Sequence, residues 1–267
     1  MGHGKLRKFA ENLNFRCLLQ PDASQVLDKE PGSRELRLKN HPVKGRWGAD
    51  VFGNSNPIVL ELGCGKGDYT LALARRHPDI NYIGVDIKGA RLWRGAKTAT
   101  EEGLANVAFL RTRIEFIGAF FGPSEVSEIW LTFSDPQLHG SENSRLSSPL
   151  FLERYRSFMR PGGTVHLKTD SRFLHEYTRA VVKANSLRVL SEGTDIYHDR
   201  IPAPAEVFEV QTFYESMFLE MGLPITYLAF CIDHEGPYLF PGDGFDADYW
   251  LEKEGPRRSF SHAPAGK

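Results

Sequence analysis

The sequence has few cysteines, no long apolar run and almost no net charge, and each shortage excludes a class of protein. Three cysteines among 267 residues are too few for a disulfide framework, and neither a Cys-x-x-Cys pair nor a His/Cys cluster indicates zinc. The apolar stretches 57–62 and 129–133 are far shorter than the roughly 20 residues that span a bilayer. Residues 1–8 are basic but lack a following apolar h-region, so no signal peptide is predicted. We expect a cytoplasmic protein without a membrane partner.

The net charge of −1, from 33 basic and 34 acidic residues, argues at first against a nucleic-acid partner. The charge is unevenly distributed, however. Residues 1–100 carry a net charge of +7, residues 101–231 carry −5 and residues 232–267 carry −3. Because a footprint on a polyanion needs only one basic face, the first third of the chain is predicted to supply it.

Hydrophobic residues make up 41% of the chain and charged residues 25%, which is typical of a globular protein. Residues 1–50 are polar, basic and interrupted by prolines, and are interpreted as a basic N-terminal arm laid over a domain. Residues 51–232 alternate between strand-like and helix-like stretches. Residues 233–267 are rich in Gly, Pro, Asp and aromatic residues and are predicted to form an irregular C-terminal extension.

The alternation within the central region predicts an α/β fold with a doubly wound, Rossmann-like sheet that is mostly parallel and has an antiparallel late strand. The predicted strands are 57–62, 81–87, 107–111, 128–133, 164–169, 187–191 and 225–232. The predicted helices are 69–76, 90–103, 150–159 and 171–185, the third of them stopped by Pro161-Gly162-Gly163.

A glycine-rich loop, Gly63-Cys-Gly-Lys-Gly67, follows the first strand directly and precedes a helix. Glycine allows the tight turn and the close approach of a ligand to the backbone. The spacing G-x-G-x-G, with Glu61 two residues before the first glycine, differs from the dinucleotide pattern G-x-G-x-x-G. It resembles the first motif of class I S-adenosylmethionine-dependent methyltransferases, although an ordinary glycine turn is the alternative.

Two acids stand at the ends of later strands. Asp86 ends the second strand, where a carboxylate can accept both hydroxyls of an adenosine ribose; a helix N-cap is the alternative. Asp135, followed by Pro136, ends the fourth strand, where it can face both a cofactor and a substrate. The alternative for Asp135 is a turn-forming Asp before Pro.

Several motifs in chain order give a more specific signal than the glycine loop alone. They read Leu60-Glu-Leu-Gly-Cys-Gly-Lys-Gly67, Tyr82-Ile-Gly-Val-Asp-Ile-Lys-Gly-Ala90, Trp130-Leu-Thr-Phe-Ser-Asp-Pro-Gln137, His166-Leu-Lys-Thr-Asp170 and Thr212-Phe-Tyr-Glu215. Together they resemble the tRNA (guanine-N7)-methyltransferase family, a branch of the class I methyltransferases, over residues 55–231.

The resemblance implies S-adenosylmethionine as cofactor and methyl transfer to N7 of a variable-loop guanine in tRNA, at position 46 in standard tRNA numbering. It implies no metal, no obligate protein partner, and a monomer or homodimer. The implied cofactor contacts are Glu61, Gly63, Gly65, Gly67, Asp86, Arg113 and Asp135, and Asp135 is the implied catalytic residue. The implied substrate contacts are His139, Asp170, Thr212, Tyr214 and Glu215.

The sequence departs from the family pattern at three places. Arg113 stands where the family often has Asp, and Ser134 where it usually has Pro. His139 replaces a typical lysine, and the segment 138–145, basic in the family, has Arg145 as its one basic residue besides that histidine. Loss of phosphate contacts weakens RNA binding and reduces the dependence of the affinity on salt concentration. We therefore expect RNA contact to rely on other surfaces.

The chemistry needs positioning rather than a base, because guanine N7 has a lone pair and no proton. Carboxylates such as Asp135 or Asp170 can accept hydrogen bonds from guanine N1–H and the 2-amino group. Candidate backbone contacts are Lys5, Arg7, Lys8, Arg16, Lys44, Arg46, Lys88, Arg91, Arg94 and Lys97. Two alternatives stay open: a methyltransferase of the same fold acting on another RNA or a small molecule, and a non-catalytic RNA- or nucleoside-binding protein.

Overall fold

The computed structural model describes residues 3–29 and 36–254, which form a large sheet, a two-stranded ribbon and helices around them. The strands are β1 (Leu18–Leu19), β2 (Leu27–Lys29), β3 (Leu36–Leu38), β4 (Ile58–Leu62), β5 (Asn81–Asp86), β6 (Val107–Arg111), β7 (Val126–Thr132), β8 (Met159–Thr169), β9 (Val189–Gly193) and β10 (Thr226–Cys231). The helices are α1 (His3–Asn12), α2 (Asp68–Arg76), α3 (Gly89–Glu101), α4 (Pro149–Arg156), α5 (Arg172–Ala184), α6 (Glu206–Glu209), α7 (Phe213–Glu220) and α8 (Ala247–Glu254). None of these helices is long and apolar enough to cross a membrane.

The large sheet has the strand order β1-β6-β5-β4-β7-β8-β10-β9. Neighbouring strands from β1 to β8 in this order pair in parallel, whereas β10 pairs antiparallel with β8 and β9. The order reverses at β4, whose neighbours are β5 and β7. The predicted doubly wound, mostly parallel sheet with an antiparallel late strand is therefore confirmed. In such sheets a ligand crevice lies beyond the carboxyl ends of the strands at the reversal.

The central strands are buried on both faces, which explains their nearly continuous apolar sequences. In β4, Ile58 and Leu60 belong to one hydrophobic cluster and Val59 to another. The first cluster includes Leu174 of α5 and the second includes Leu92 of α3. Since successive strand residues point to opposite faces, the two clusters are the cores above and below the sheet.

The basic N-terminal segment is joined to the sheet rather than only laid over it. The Asn12 side chain donates a hydrogen bond to the Gly89 carbonyl (3.0 Å), where α1 packs on α3. Strand β1 extends the sheet beside β6. Val26 and Val43 are buried in the core. Part of this segment therefore contributes to the stability of the domain.

The Pro161-Gly162-Gly163 segment lies inside a strand, so the prediction that the strand begins at residue 164 was wrong. Strand β8 begins at Met159, and its pairing with β7 shifts register between Val126 and Glu128. Gly162 adopts φ +73°, and its N–H donates to the Asp233 carboxylate (3.0 Å). Strand pairing on both sides of this bulge keeps Pro161-Gly162-Gly163 in the strand. That pairing involves residues distant in sequence, so the local Pro-Gly-Gly pattern does not predict it.

The segment after residue 232, predicted to be irregular, contains helix α8, which packs on α5. The Phe245 ring meets Phe173 and Tyr177 of α5 edge to face, at centroid distances of 5.2 and 5.4 Å. Tertiary packing thus supplies the stability that the composition of the segment does not indicate. Residues 255–267 of the predicted extension lie outside the described residues.

Candidate active site

The glycine loop turns from β4 into α2 at the point where the strand order reverses. Gly63, Gly65 and Gly67 have φ angles of +78°, +57° and +75°. Residues with a side chain rarely adopt such positive φ angles. A Cβ on Gly67 would lie 2.5 Å from the Phe109 ring, so the helix can approach the sheet only with glycine there. A Cβ on Gly65 would meet nothing within 4 Å. The loop is thus packed against the sheet at Gly67 and open at Gly65.

Glu61 is buried and anchors the start of α2 rather than presenting its carboxylate at the surface. One oxygen accepts hydrogen bonds from the Thr70 N–H (2.8 Å) and the Thr70 hydroxyl, and the other from the Thr132 hydroxyl (2.6 Å). Burial raises the pKa of Glu61 to about 7, although these hydrogen bonds oppose the shift. The predicted cofactor acid therefore links the strands β4 and β7 to the helix after the glycine loop.

Asp86, at the end of β5, joins the glycine loop to α3. Its carboxylate accepts the Gly65 N–H (3.0 Å) on one oxygen and the Lys88 N–H (2.7 Å) on the other. The N-cap residue of α3 is Lys88 and not Asp86, so the N-cap alternative for Asp86 was wrong, although the Asp86 carboxylate holds the N–H of that cap residue. Asp86 thus lies within hydrogen-bond distance of the open glycine of the loop.

Asp135 is exposed in a strained turn after β7. Phe133 and Gln137, on either side of it, have φ of +49° and +51°, and the Gln137 N–H donates to the Asp135 carboxylate (2.9 Å). Left-handed conformations at residues other than glycine cost about 1 kcal/mol or more each and cluster at functional sites. The turn thus combines backbone strain with an exposed carboxylate at the end of a central strand.

Helix α7 brings the Thr212–Glu215 motif to the glycine loop. The Lys66 ammonium lies 5.5 Å from the centroid of the exposed Phe213 ring. At the other end of the helix, Phe218 stacks on Phe133 beside the Asp135 turn, with centroids 6.0 Å apart. The helix therefore connects the two candidate cofactor segments.

The motif itself forms the first turn of α7. The Thr212 hydroxyl accepts the Glu215 N–H (3.2 Å), and the Glu215 carboxylate accepts the Thr212 N–H (3.3 Å), which is a capping box. Tyr214 is half-buried, and its ring meets Phe213 edge to face at 5.8 Å. Of the three implied substrate contacts here, Thr212 and Glu215 are therefore engaged within the protein, and Tyr214 is partly accessible.

Lys168 lies within the motif His166–Asp170, and neither the residue pattern nor the family resemblance implies a role for it. Its ammonium is completely buried, lies 2.7 Å from the Glu215 carboxylate and donates to the Val210 carbonyl (2.9 Å). Burial lowers the pKa of Lys168, and the neighbouring carboxylate opposes that shift. A lysine within a predicted strand of the sheet was the available signal, because buried charges need a partner.

The remaining predicted residues lie on different parts of this edge. Asp170 directly follows β8 and is half-buried, and His139 is exposed in the turn after Asp135. Arg113 follows β6, pairs with Glu115 (3.1 Å) and is exposed. The guanidinium of Arg113 is therefore engaged with its own chain neighbour, which leaves its predicted cofactor contact without support from geometry.

One group of the predicted basic residues lies on α1, on α3 and at the N-cap of α3, and is named here the α1–α3 face: Lys8, Lys88, Arg91, Arg94 and Lys97. The Lys8 and Lys97 ammonium groups lie 4.6 and 5.2 Å from the Trp93 ring between them. Lys88 and Arg94 are exposed, and Lys88 stands beside Asp86 at the cofactor edge. The face therefore begins at the candidate site.

Three other basic residues, Lys44, Arg46 and Arg145, are engaged within the protein. The Lys44 ammonium donates to the Gly118 carbonyl (2.7 Å), and Arg46 pairs with Asp50 (2.6 Å). Arg145, the one arginine of the altered loop, is buried, and its guanidinium lies 4.8 Å from Phe173. The loop after Asp135 therefore presents no arginine or lysine to solvent.

Comparison with known proteins agrees with this geometry. The model of a family described as putative methyltransferase matches residues 55–228. The curated tRNA (guanine-N(7)-)-methyltransferase of Christiangramia forsetii is 49% identical over 229 residues, which cover 85% of this chain and 97% of the relative. The enzyme of that name from Bacteroides thetaiotaomicron is 43% identical over 259 residues, 97% of this chain and 98% of the relative.

Among solved structures, the 16S rRNA methyltransferase KamB aligns with a TM-score of 0.52 and 16% identity over 74% of this chain and 95% of that chain. That likeness shows the shared Rossmann-like fold. The family match, which covers the glycine loop, the Asp135 turn and Asp170, and the curated relatives lead to one conclusion. The chain belongs to the tRNA (guanine-N(7)-)-methyltransferase family.

Proposed function

We propose that this protein transfers a methyl group from S-adenosylmethionine to N7 of a variable-loop guanine, position 46, in tRNA. The observation that carries the proposal is the convergence of three elements at the strand-order reversal. They are the open glycine at Gly65 with Asp86 bound to its N–H, the strained turn that presents Asp135, and α7 in contact with both. The family of the chain supports the reaction, and this arrangement supports the proposed place for it.

The residues fit the cofactor. The loop leaves space at Gly65 for a ligand to approach the backbone, and Asp86 has lone pairs left to accept ribose hydroxyls. When bound, S-adenosylmethionine supplies an electrophilic methyl group on a sulfonium cation. Glu61, buried next to the loop, contributes negative charge when it is ionised and fixes the first turn of α2.

Asp135 is proposed to orient the guanine and to stabilise the positive charge that develops on the methylated ring. An exposed carboxylate held by the Gln137 N–H needs little reorganisation to accept the guanine N1–H and 2-amino group. Asp170 stands at the end of the next strand in the sheet and is proposed to share this recognition. No proton is removed, because N7 carries none.

The α1–α3 face is proposed to hold the tRNA backbone. Lys88, Arg91 and Arg94 have no ion-pair partner among residues 3–29 and 36–254. The face starts beside Asp86, so RNA bound there lies next to the candidate site. In this proposal the enzyme acts in the cytoplasm on tRNA and needs no partner protein.

Methylation of unmodified tRNA by purified wild-type protein and Asp135→Asn tests the proposal. The asparagine keeps the shape but loses the charge and one acceptor, so we expect N7-methylguanine formation to fall about a hundredfold. Cofactor affinity should change little. The control Asp79→Asn changes an exposed acid in the turn after α2 and should match wild type.

The alternatives give other results. Methyl transfer to a free metabolite or another RNA but never to tRNA would support a different substrate. Tight cofactor binding without any transfer would support a non-catalytic protein. Wild-type activity in Asp135→Asn would remove the proposed role of that residue.

A further inference from the structure

The C-terminal helix α8 reaches the candidate site through its last residue. One oxygen of the Glu254 carboxylate accepts the Ser171 hydroxyl, and the other accepts the Phe173 N–H (2.9 Å). Ser171 is the N-cap of α5 and accepts the Leu174 N–H (3.1 Å) on its own hydroxyl oxygen. Glu254 therefore completes the N-terminal cap of a helix more than 80 residues away in the chain.

The capped first turn of α5 directly follows Asp170, one of the implied substrate contacts. Ser171 directly follows Asp170, and the Ser171 N–H donates to the Thr169 hydroxyl (3.0 Å). The backbone of Asp170 thus lies between Thr169 and Ser171, which this hydrogen bond joins to each other. A negative charge at Glu254 is also favourable here, since the first N–H groups of a helix carry partial positive charge.

Helix α5 also holds the loop that follows Asp135. The Arg145 guanidinium lies 4.8 Å from the Phe173 ring and 4.5 Å from the Tyr177 ring. Phe173 is the residue whose N–H Glu254 binds, and the Phe245 ring before α8 packs on both aromatic rings. Displacement of α8 would therefore reach Asp170 and residues 138–145 through one turn of α5.

We infer that Glu254 is a positioning residue for the methyl transfer: it fixes Asp170 and the loop 138–145 through the N-terminal turn of α5. The inference rests on the proposed function for the identity of the substrate. It assigns the C-terminal segment a part in the active site that its composition does not indicate. Glu254 acts through Ser171 and Phe173 and is not itself placed against substrate.

Steady-state kinetics of Glu254→Ala and Glu254→Gln test the inference. The assays are run at a temperature well below the thermal unfolding midpoint of every variant. We expect kcat/KM for tRNA to fall about tenfold in the alanine variant, because small displacements of a positioned group are costly. The glutamine variant, which keeps one acceptor oxygen, should lie between the alanine variant and wild type. Cofactor affinity should be unchanged, because the glycine loop is not part of this contact.

Glu252→Ala is the matched control, since Glu252 is an exposed glutamate on the same helix. It should leave both the kinetics and the thermal midpoint at wild-type values. A lower midpoint in Glu254→Ala with unchanged kcat/KM would assign Glu254 a purely structural role and overturn the inference.

Hydrogen exchange distinguishes failure of this inference from failure of the proposed function. Exchange in segments 168–175 and 138–146 should be faster in Glu254→Ala than in wild type and Glu252→Ala. Unchanged exchange would overturn the inference whatever the substrate is. Wild-type protein that methylates no tRNA would refute the proposed function alone, and the exchange result would still decide whether Glu254 positions these segments.

Discussion

The ammonium of Lys168 lies 2.7 Å from the carboxylate of Glu215, and neither side chain has exposed surface. The pair joins β8 to α7, the helix that contacts the glycine loop. The Tyr197 hydroxyl donates to the same carboxylate (2.7 Å). A fully satisfied polar network inside a protein fixes one arrangement of its elements. The glutamate of the Thr212–Glu215 motif thus secures α7 over the site instead of facing solvent.

Lys168→Met is expected to lower the free energy of unfolding by about 3 kcal/mol, because it leaves the buried Glu215 charge without its cationic partner. The double variant Lys168→Met/Glu215→Gln removes both charges and keeps an acceptor for Tyr197, so it should recover at least half of that loss. Urea unfolding of the single and double variants measures the coupling. Additive losses would show that the pair contributes no interaction energy.

Much of the fold could be predicted because its signals are local. The strand at residues 107–111 was predicted with the observed bounds, and most other core elements within two residues, from apolar runs punctuated by glycine and proline. The prediction failed where tertiary contacts decide. Asp233 and the pairing with β7 keep Gly162 inside β8, and packing on α5 stabilises α8.

The candidate site was predictable in position but not in contacts. Topology places Gly65, Asp86 and Asp135 at one edge, since the carboxyl ends of parallel strands lie together. The burial of Arg145 depends on two aromatic rings of α5, and the anchoring of Glu61 depends on a threonine of β7. Such partners are distant in sequence, so a pattern along the chain does not show them.

The raised pKa of Glu61, about 7, predicts a specific pH dependence of stability. Between the unfolded pKa of 4.5 and pH 7 the folded protein binds more protons at this site than the unfolded chain. Stability from this group is therefore greatest below pH 4.5 and falls as pH rises to 7, by about 3 kcal/mol in total. Glu61→Gln should remove this slope from the pH profile of unfolding free energy.

Glu220 is an exposed glutamate at the end of α7, so Glu220→Gln is the control for the Glu61 experiment. This variant should retain the wild-type slope of unfolding free energy against pH. The difference between the wild-type and Glu61→Gln profiles isolates the contribution of Glu61 from that of other acids. An identical slope in the two proteins would contradict the shifted pKa.

The α1–α3 face predicts a salt-dependent contribution to tRNA affinity. The double variant Lys88→Gln/Arg94→Gln should weaken tRNA binding and reduce the slope of log affinity against log salt by about one per lost phosphate contact. Cofactor affinity should be retained. Lys183→Gln, on the exposed end of α5, should leave the slope unchanged. Deletion of residues 1–46 would test this less cleanly, because it removes β1 and the buried Val26 and Val43.

Arg145 is expected to behave oppositely to Arg94, although both are arginines. Its guanidinium is buried between Phe173 and Tyr177, so Arg145→Ala loses two desolvated cation–π contacts and leaves a cavity. The free energy of unfolding should fall by about 2 kcal/mol. The salt slope of tRNA binding should stay at the wild-type value, with Arg94→Gln as the positive control in the same titration. A slope reduced by a full phosphate contact in Arg145→Ala would mean that this loop opens to place Arg145 on the RNA, and would contradict its assignment as a packing residue.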